Sequence, residues 1–237
     1  MATKTLSSQS AVQGAVEEVA KVLRRSNCAS VLRYVPELTW MLFLRILDER
    51  EQIEADESSV LGVPFQPSLE APYRWRDWGA PPDEDDEGNV VQGAKRHELD
   101  KSSGALMRFV NKELLPHLQA FATASSATPR QKVIAEIVSS TEETRVDTEA
   151  NLKDALDLVH GISAGGIDPQ HVFPISQAYE GLLLTMGQAN RDGGQFYTPR
   201  DTIRAMLKVV DPALDATVYD PCCGTAGFLA EAFEYLK

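Results

Sequence analysis

The sequence predicts a mainly α chain: an all-helical domain over residues 1–165, then the first helix–strand–helix of a truncated α/β domain over 166–237. Three observations predict it. Apolar residues recur at helical spacing through most of the first 165 positions. A single proline-rich, acidic stretch at about 58–95 interrupts them. Beyond residue 190 the pattern changes to loop, helix, β-prone run, glycine turn and helix, which is how an α/β domain opens.

The elements follow in order. Ala11, Val12, Ala15, Val16, Val19 and Leu23 predict an amphipathic helix over about 9–25. Pro36 suits the first turn of a second helix, with Glu37 near its positive end. That helix carries Leu38, Met41, Leu42 and Ile46 toward about Asp56 and is apolar on most of its circumference, as expected of a core helix. Pro64, Pro67, Pro72, Pro81 and Pro82 forbid a long helix over 58–95. The expectation there is an irregular excursion anchored by Trp75 and Trp78, with an acidic run from Asp83 to Glu87 and a turn at Gly88-Asn89.

Helices resume over about 97–118. Thr128-Pro129-Arg130-Gln131 reads as a capping box with proline at the first helical position. A further helix over about 148–160 closes at Gly161, and Ala164-Gly165-Gly166 reads as a linker. Ser176–Ala189 predicts another helix. Thr198 is placed to cap the next, with Pro199 and Asp201 in its first turn. Thr217-Val218-Tyr219 predicts a short strand ending at Asp220, and Phe228-Leu229-Ala230 starts a helix after the turn.

Composition narrows the function. At 43% hydrophobic the chain can build a core, and its apolar runs fall far short of the ~20 residues needed to span a bilayer. With no apolar signal segment at its start it is expected in the cytoplasm. The net charge of −12 argues against this chain gripping DNA alone. Residues 51–100 hold 13 Asp/Glu against 4 Lys/Arg, whereas residues 1–50 are slightly basic. Cys28 stands alone, and Cys222-Cys223 are adjacent, a poor disulfide arrangement and no zinc spacing. No metal site is expected from the ligand spacing.

The chemistry sits late in the chain. A helix start behind Gly193-Gly194 offers N–H groups to an anionic ligand group. At Asp220-Pro221-Cys222-Cys223-Gly224-Thr225-Ala226-Gly227, the strand–glycine loop–helix device can hold a nucleotide-like cofactor at the carboxyl end of a strand. Asp220 could accept from an ammonium group or hydroxyls. The competing reading is a tight β–α turn with Asp220 as a local cap. The loop is neither a Gly-x-Gly-x-x-Gly fingerprint nor a P-loop, and the two cysteines read as small, nearly apolar side chains packed beneath it.

Together, Gly194-Gln195-Phe196-Tyr197-Thr198-Pro199-Arg200 and Asp220 to Leu229 closely resemble the modification (M) subunit of type I restriction–modification systems. Leu38-Thr39-Trp40-Met41-Leu42-Phe43-Leu44-Arg45-Ile46-Leu47-Asp48 is similar to that family's helical N-terminal domain, and Gln177 to Leu183 to the segment leading into its catalytic domain. The resemblance implies a Rossmann-like, S-adenosylmethionine-dependent methyltransferase acting on adenine N6 in DNA. It implies cofactor-binding roles for Gly194, Gln195, Phe196, Tyr197, Thr198 and Pro199, and for Asp220, Gly224, Thr225, Ala226 and Gly227. It also implies partners: a specificity (S) subunit, a restriction (R) subunit and double-stranded DNA reached through the complex.

The family's catalytic Asn-Pro-Pro-Phe/Tyr string is absent; the nearest, Ala80-Pro81-Pro82-Asp83, lacks the Asn and the aromatic. The acidic residue expected for the cofactor ribose is missing too. A lone parallel strand would leave ladder groups unpaired at ~1–3 kcal/mol each. The expectation is the front end of a larger enzyme, with part of a cofactor site, no catalytic centre and no activity by itself. The alternatives are a non-catalytic interaction module, binding the specificity subunit or DNA through its helical domain, and an unrelated helical protein that imitates the motif.

Overall fold

The computed structural model describes residues 9–28, 31–162, 198–224 and 226–236. The chain divides into two compact units, Met1–Pro169 and Gln170–Lys237. The linker expected at Ala164-Gly165-Gly166 and the helix expected at Ser176–Ala189 lie outside the described residues.

In the first unit α1 (Gln9–Arg25) buries Val16, Val19, Ala20 and Leu23 along one face; the side chains of Ala11 and Val12 lie outside those described. α2 (Val31–Leu61) is the central helix and packs against α1 and against the helices Trp75–Trp78, Pro129–Val138 and Glu149–His160. It starts five residues before Pro36, so that proline lies inside the helix rather than in its first turn. Proline there forfeits one backbone hydrogen bond. Burial of Tyr34, Leu38, Trp40, Met41 and Leu44, at roughly 1.5–3 kcal/mol per large apolar side chain, outweighs that loss.

Glu37 is not at a helix end but fully buried in this core. Its carboxylate accepts from Trp40 Nε1 (3.1 Å), Thr144 Oγ1 (2.8 Å) and the Arg145 backbone N–H (3.1 Å). It thereby ties α2 to the chain entering α8 (Glu149–His160).

The 58–95 excursion is anchored by its tryptophans. Trp75 and Trp78 sit in a short helix, α3 (Trp75–Trp78), and both are buried. Trp78 stacks on Trp40 with centroids 6.2 Å apart and meets Trp75 edge-on at 5.4 Å. Each indole N–H finds an acceptor: Glu37 for Trp40, His160 Nδ1 for Trp75 and the Tyr73 carbonyl for Trp78. The excursion is more regular than its prolines suggest. Its acidic run forms a hairpin, β1 (Asp83–Glu84) pairing antiparallel with β2 (Val90–Gln92). Asp85 closes the turn by accepting from the Glu87 and Asn89 backbone N–H groups. Gly93 follows at φ +68°, where an added Cβ would lie 2.7 Å from the Pro82 backbone nitrogen.

The helices expected over 97–118 form as short consecutive pieces. α4 (Ala94–Leu99) ends, Gly104 turns at φ +73°, and α5 (Ala105–Phe109) leads into α6 (Leu115–Ala120). A π-helical turn, Val110–Leu114, joins the last two, closed by the Leu115 N–H on the Val110 carbonyl. Pro116 has no N–H for the carbonyl four residues back, and its ring would crowd that carbonyl; the wider turn accommodates both. Thr128 caps α7 (Pro129–Val138) with the full reciprocal box: its hydroxyl accepts from Gln131 N–H, and Gln131 Oε1 accepts from Thr128 N–H.

Among the described residues of the second unit, two helices pack together: α9 (Arg200–Val210) and α10 (Gly227–Tyr235). The strand expected at Thr217–Tyr219 is not formed; β1–β2 is the only sheet among the described residues. A strand exists only through its ladder partner, so three β-prone residues cannot make one alone.

Candidate functional site

The two stretches singled out in the sequence come together in the second unit. Thr198 and Pro199 are exposed and lead into α9. Pro199, not Thr198, is the N-cap: its carbonyl accepts from Thr202 and Ile203, and no side chain caps the helix. Pro199 takes a non-helical conformation (φ −55°, ψ 135°), so the helix begins one residue later than expected and Thr198 lies too far out to cap. In the first turn of this helix the Asp201 N–H has no intrahelical acceptor.

Asp220 begins the loop before α10. Its Oδ1 accepts from the Cys222 backbone N–H at 3.1 Å, the local cap of the bland reading, and the carboxylate keeps acceptor capacity for a further donor. Gly224 turns at φ +52° with open space on its Cβ side. Ala226 is the N-cap of α10 at φ 59°, an unfavourable conformation for a residue with a Cβ, and its N–H donates to the Cys223 carbonyl at 2.7 Å. Cys222 and Cys223 are exposed rather than packed under the loop, because the turn projects them outward. Gly194, Gln195, Phe196, Tyr197 and Thr225 lie outside the described residues.

The residues that hold this arrangement were not foreseen as a set. Arg200 and Glu231 are both buried. Arg200 Nη1 donates to the Gly227 carbonyl at 2.9 Å and lies 3.9 Å from Glu231 Oε1. Arg204 grips the same carboxylate with Nε (2.7 Å) and Nη2 (3.2 Å). At the far end Tyr235 donates its hydroxyl to Asp211 Oδ1 at 2.5 Å. A signal was available: Glu231 is the lone charge in Phe228-Leu229-Ala230-Glu231-Ala232-Phe233, and Arg200 and Arg204 share one helix face at i, i+4 spacing.

The donor set fits an amino-acid-bearing nucleoside such as S-adenosylmethionine. Two helix N-termini offer N–H groups to a carboxylate, and Asp220 offers an acceptor to an ammonium or hydroxyl group. Among the described residues no group of His, Cys, Asp and Glu is placed to hold a metal, and no helix is long and apolar enough to cross a membrane.

Residues 170–237 match the N-6 DNA Methylase family. The methylase subunit of the type I restriction enzyme EcoEI from Escherichia coli is 30% identical over 202 residues, 85% of this chain and 36% of that protein. The StySJI methylase subunit of Salmonella typhimurium is 28% identical over 214 residues, 90% of this chain and 33% of that one. Among solved structures, a modification subunit of a putative type I restriction enzyme from Vibrio vulnificus superposes with a TM-score of 0.70 at 30% identity, covering 98% of this chain and 46% of that chain. A chain from a structure describing complex assembly and conformational transition of the type I restriction–modification system gives 0.65 at 31% identity, covering 97% and 41%. The chain thus spans about a third of the length of these curated relatives. Over nearly its whole length, this chain is a homologue of the methylase subunits of type I restriction enzymes, and it carries an N-6 DNA methylase domain match at residues 170–237.

Proposed function

We propose that this chain provides the helical N-terminal portion and part of the cofactor site of a DNA adenine-N6 methyltransferase subunit in a type I restriction–modification system. The observation that carries this reading is the meeting of two motif stretches across the α9–α10 contact, in a chain homologous to methylase subunits. The cofactor is S-adenosylmethionine, which when bound supplies the methyl group of its sulfonium. Asp220, the Asp201 N–H in the first turn of α9 and the first-turn N–H groups of α10 bind its polar ends. Thr198 and Pro199 line one side of it, and Gly224, Ala226 and Gly227 the other. Gly194, Gln195, Phe196, Tyr197 and Thr225 belong to the same proposed set.

The sequence contains no Asn-Pro-Pro-Phe/Tyr string to hold the target adenine, so this polypeptide alone is expected to transfer no methyl group. The partners in this reading are the specificity and restriction subunits and double-stranded DNA, met in the cytoplasm. The net charge of −12 supports a division of labour in which another subunit supplies most of the DNA grip.

Saturation-transfer NMR with S-adenosylmethionine tests the cofactor assignment. Weak binding is expected to the wild-type polypeptide, and loss of the signal in Asp220→Ala. No signal from wild type, or an undiminished signal from Asp220→Ala, would overturn it. A radiolabelled methyl-transfer assay on DNA tests the second claim; methylated adenine from the purified polypeptide would sink it.

A further inference from the structure

We propose that Arg200 is a positioning residue: its guanidinium is a strut that sets the spacing between the two walls of the cofactor site, Thr198-Pro199 on one side and Ala226-Gly227 on the other. The inference rests on the cofactor reading above and goes beyond it by assigning a role to a residue outside the proposed ligand set.

Arg200 is the first residue of α9 and follows Pro199 directly. Gly227 is the first residue of α10 and follows Ala226 directly. One end of the strut therefore lies one peptide from the Thr198-Pro199 wall, and the other bears directly on the Ala226-Gly227 wall. Arg200 Nη1 donates to the Gly227 carbonyl at 2.9 Å. An added Cβ on Gly227 would sit 3.5 Å from Arg200 Cζ and Nη1 and from Ile203 Cδ1, so this face of Gly227 looks toward the guanidinium with room for one side-chain carbon. The side chains of Arg200 and Glu231 are only 7% and 6% exposed. Glu231 supplies the countercharge, and Arg204 fixes that carboxylate from its other side at 2.7 and 3.2 Å. A buried guanidinium is tolerated only when it is compensated and hydrogen-bonded, and its planar donors hold fixed directions that a lysine ammonium does not.

The geometry also explains how Ala226 stays at φ 59°. A residue with a Cβ persists there when its surroundings over-determine it. The Ala226 N–H is held by Cys223 on one side, and the Gly227 carbonyl is held by Arg200 on the other.

The test compares Arg200→Met and Arg200→Lys with Ile203→Val, which loosens the same helix contact without touching the guanidinium. Amide hydrogen exchange of residues 226–230 and NMR titration with S-adenosylmethionine are read on each folded variant at a temperature far below unfolding. Arg200→Met is expected to speed exchange at these amides, and to weaken cofactor binding, at least tenfold relative to Ile203→Val. Arg200→Lys is expected to recover only part of both. If Arg200→Met and Ile203→Val behave alike in both measurements, the strut is refuted. If wild type takes up no cofactor, it is the cofactor reading that fails, and the exchange comparison alone decides the strut.

Discussion

His160 shows how a single buried residue makes stability depend on pH. Trp75 can only donate, so its bond to His160 Nδ1 at 3.2 Å requires that nitrogen to be an unprotonated acceptor. Burial first, and then the positive charge of Arg45, lower the imidazole pKa from 6.5 to about 4; Arg96 adds to the effect and Glu49 opposes it. The folded pKa is depressed, so the unfolded chain binds the proton more readily between about 6.5 and about 4. Stability is therefore intact above the unfolded value and falls as pH drops through this window, by about 3 kcal/mol in all. Urea midpoints at pH 7 and pH 4.5 should show the loss in wild type. His160→Gln should remove most of this pH dependence, and an equally steep loss in that variant would assign the effect elsewhere. Nothing in the sequence marked His160, because its burial and charged surroundings come from distant segments, with Trp75 85 positions away and Arg45 and Arg96 on other helices.

At the scale of elements, the capping box was the most legible feature. Thr128-Pro129-Arg130-Gln131 predicts its helix start because every group in the box lies within four residues, and the structure closes both bonds. Gln131 Nε2 also donates to the Ser68 carbonyl at 3.0 Å, so the same cap pins the returning 58–95 excursion. Thr128→Ala is expected to cost about 1 kcal/mol, read as a lowered urea midpoint with unchanged slope. An unchanged midpoint would mean that the box adds nothing in this context. Features set by distant partners were not legible. The start of α2 before Pro36 and the missing strand at Thr217–Tyr219 depend on what each segment packs or pairs with. Local propensity does not contain that information.

At the scale of the whole molecule, the two units have unequal cores. Among the described residues the first unit buries Trp40, Trp75, Trp78, Tyr34, Phe109 and many aliphatic side chains, whereas the second buries Ile203 and Ala232 around the Arg200–Glu231 pair. Met206, Val209, Val210, Leu214, Tyr219 and Phe233 of the second unit are exposed. The smaller core should yield first. All three tryptophans of the chain lie in the first unit, so their fluorescence reports that unit alone. In a urea titration, far-UV circular dichroism is expected to lose part of its signal before tryptophan fluorescence moves. Coincident transitions would show that the two units unfold as one.

The sequence alone determined the helical spacing of the first unit, its capping box, the anchoring tryptophans and the two motif strings that carry the resemblance, since each of these is written within a few residues of chain. Only the tertiary structure decided that Arg200 and Glu231 join those strings and that Cys222 and Cys223 face outward. Burial and charge pairing depend on which distant surfaces meet, and a linear pattern of residue types records the periodicity of a surface without naming its partner.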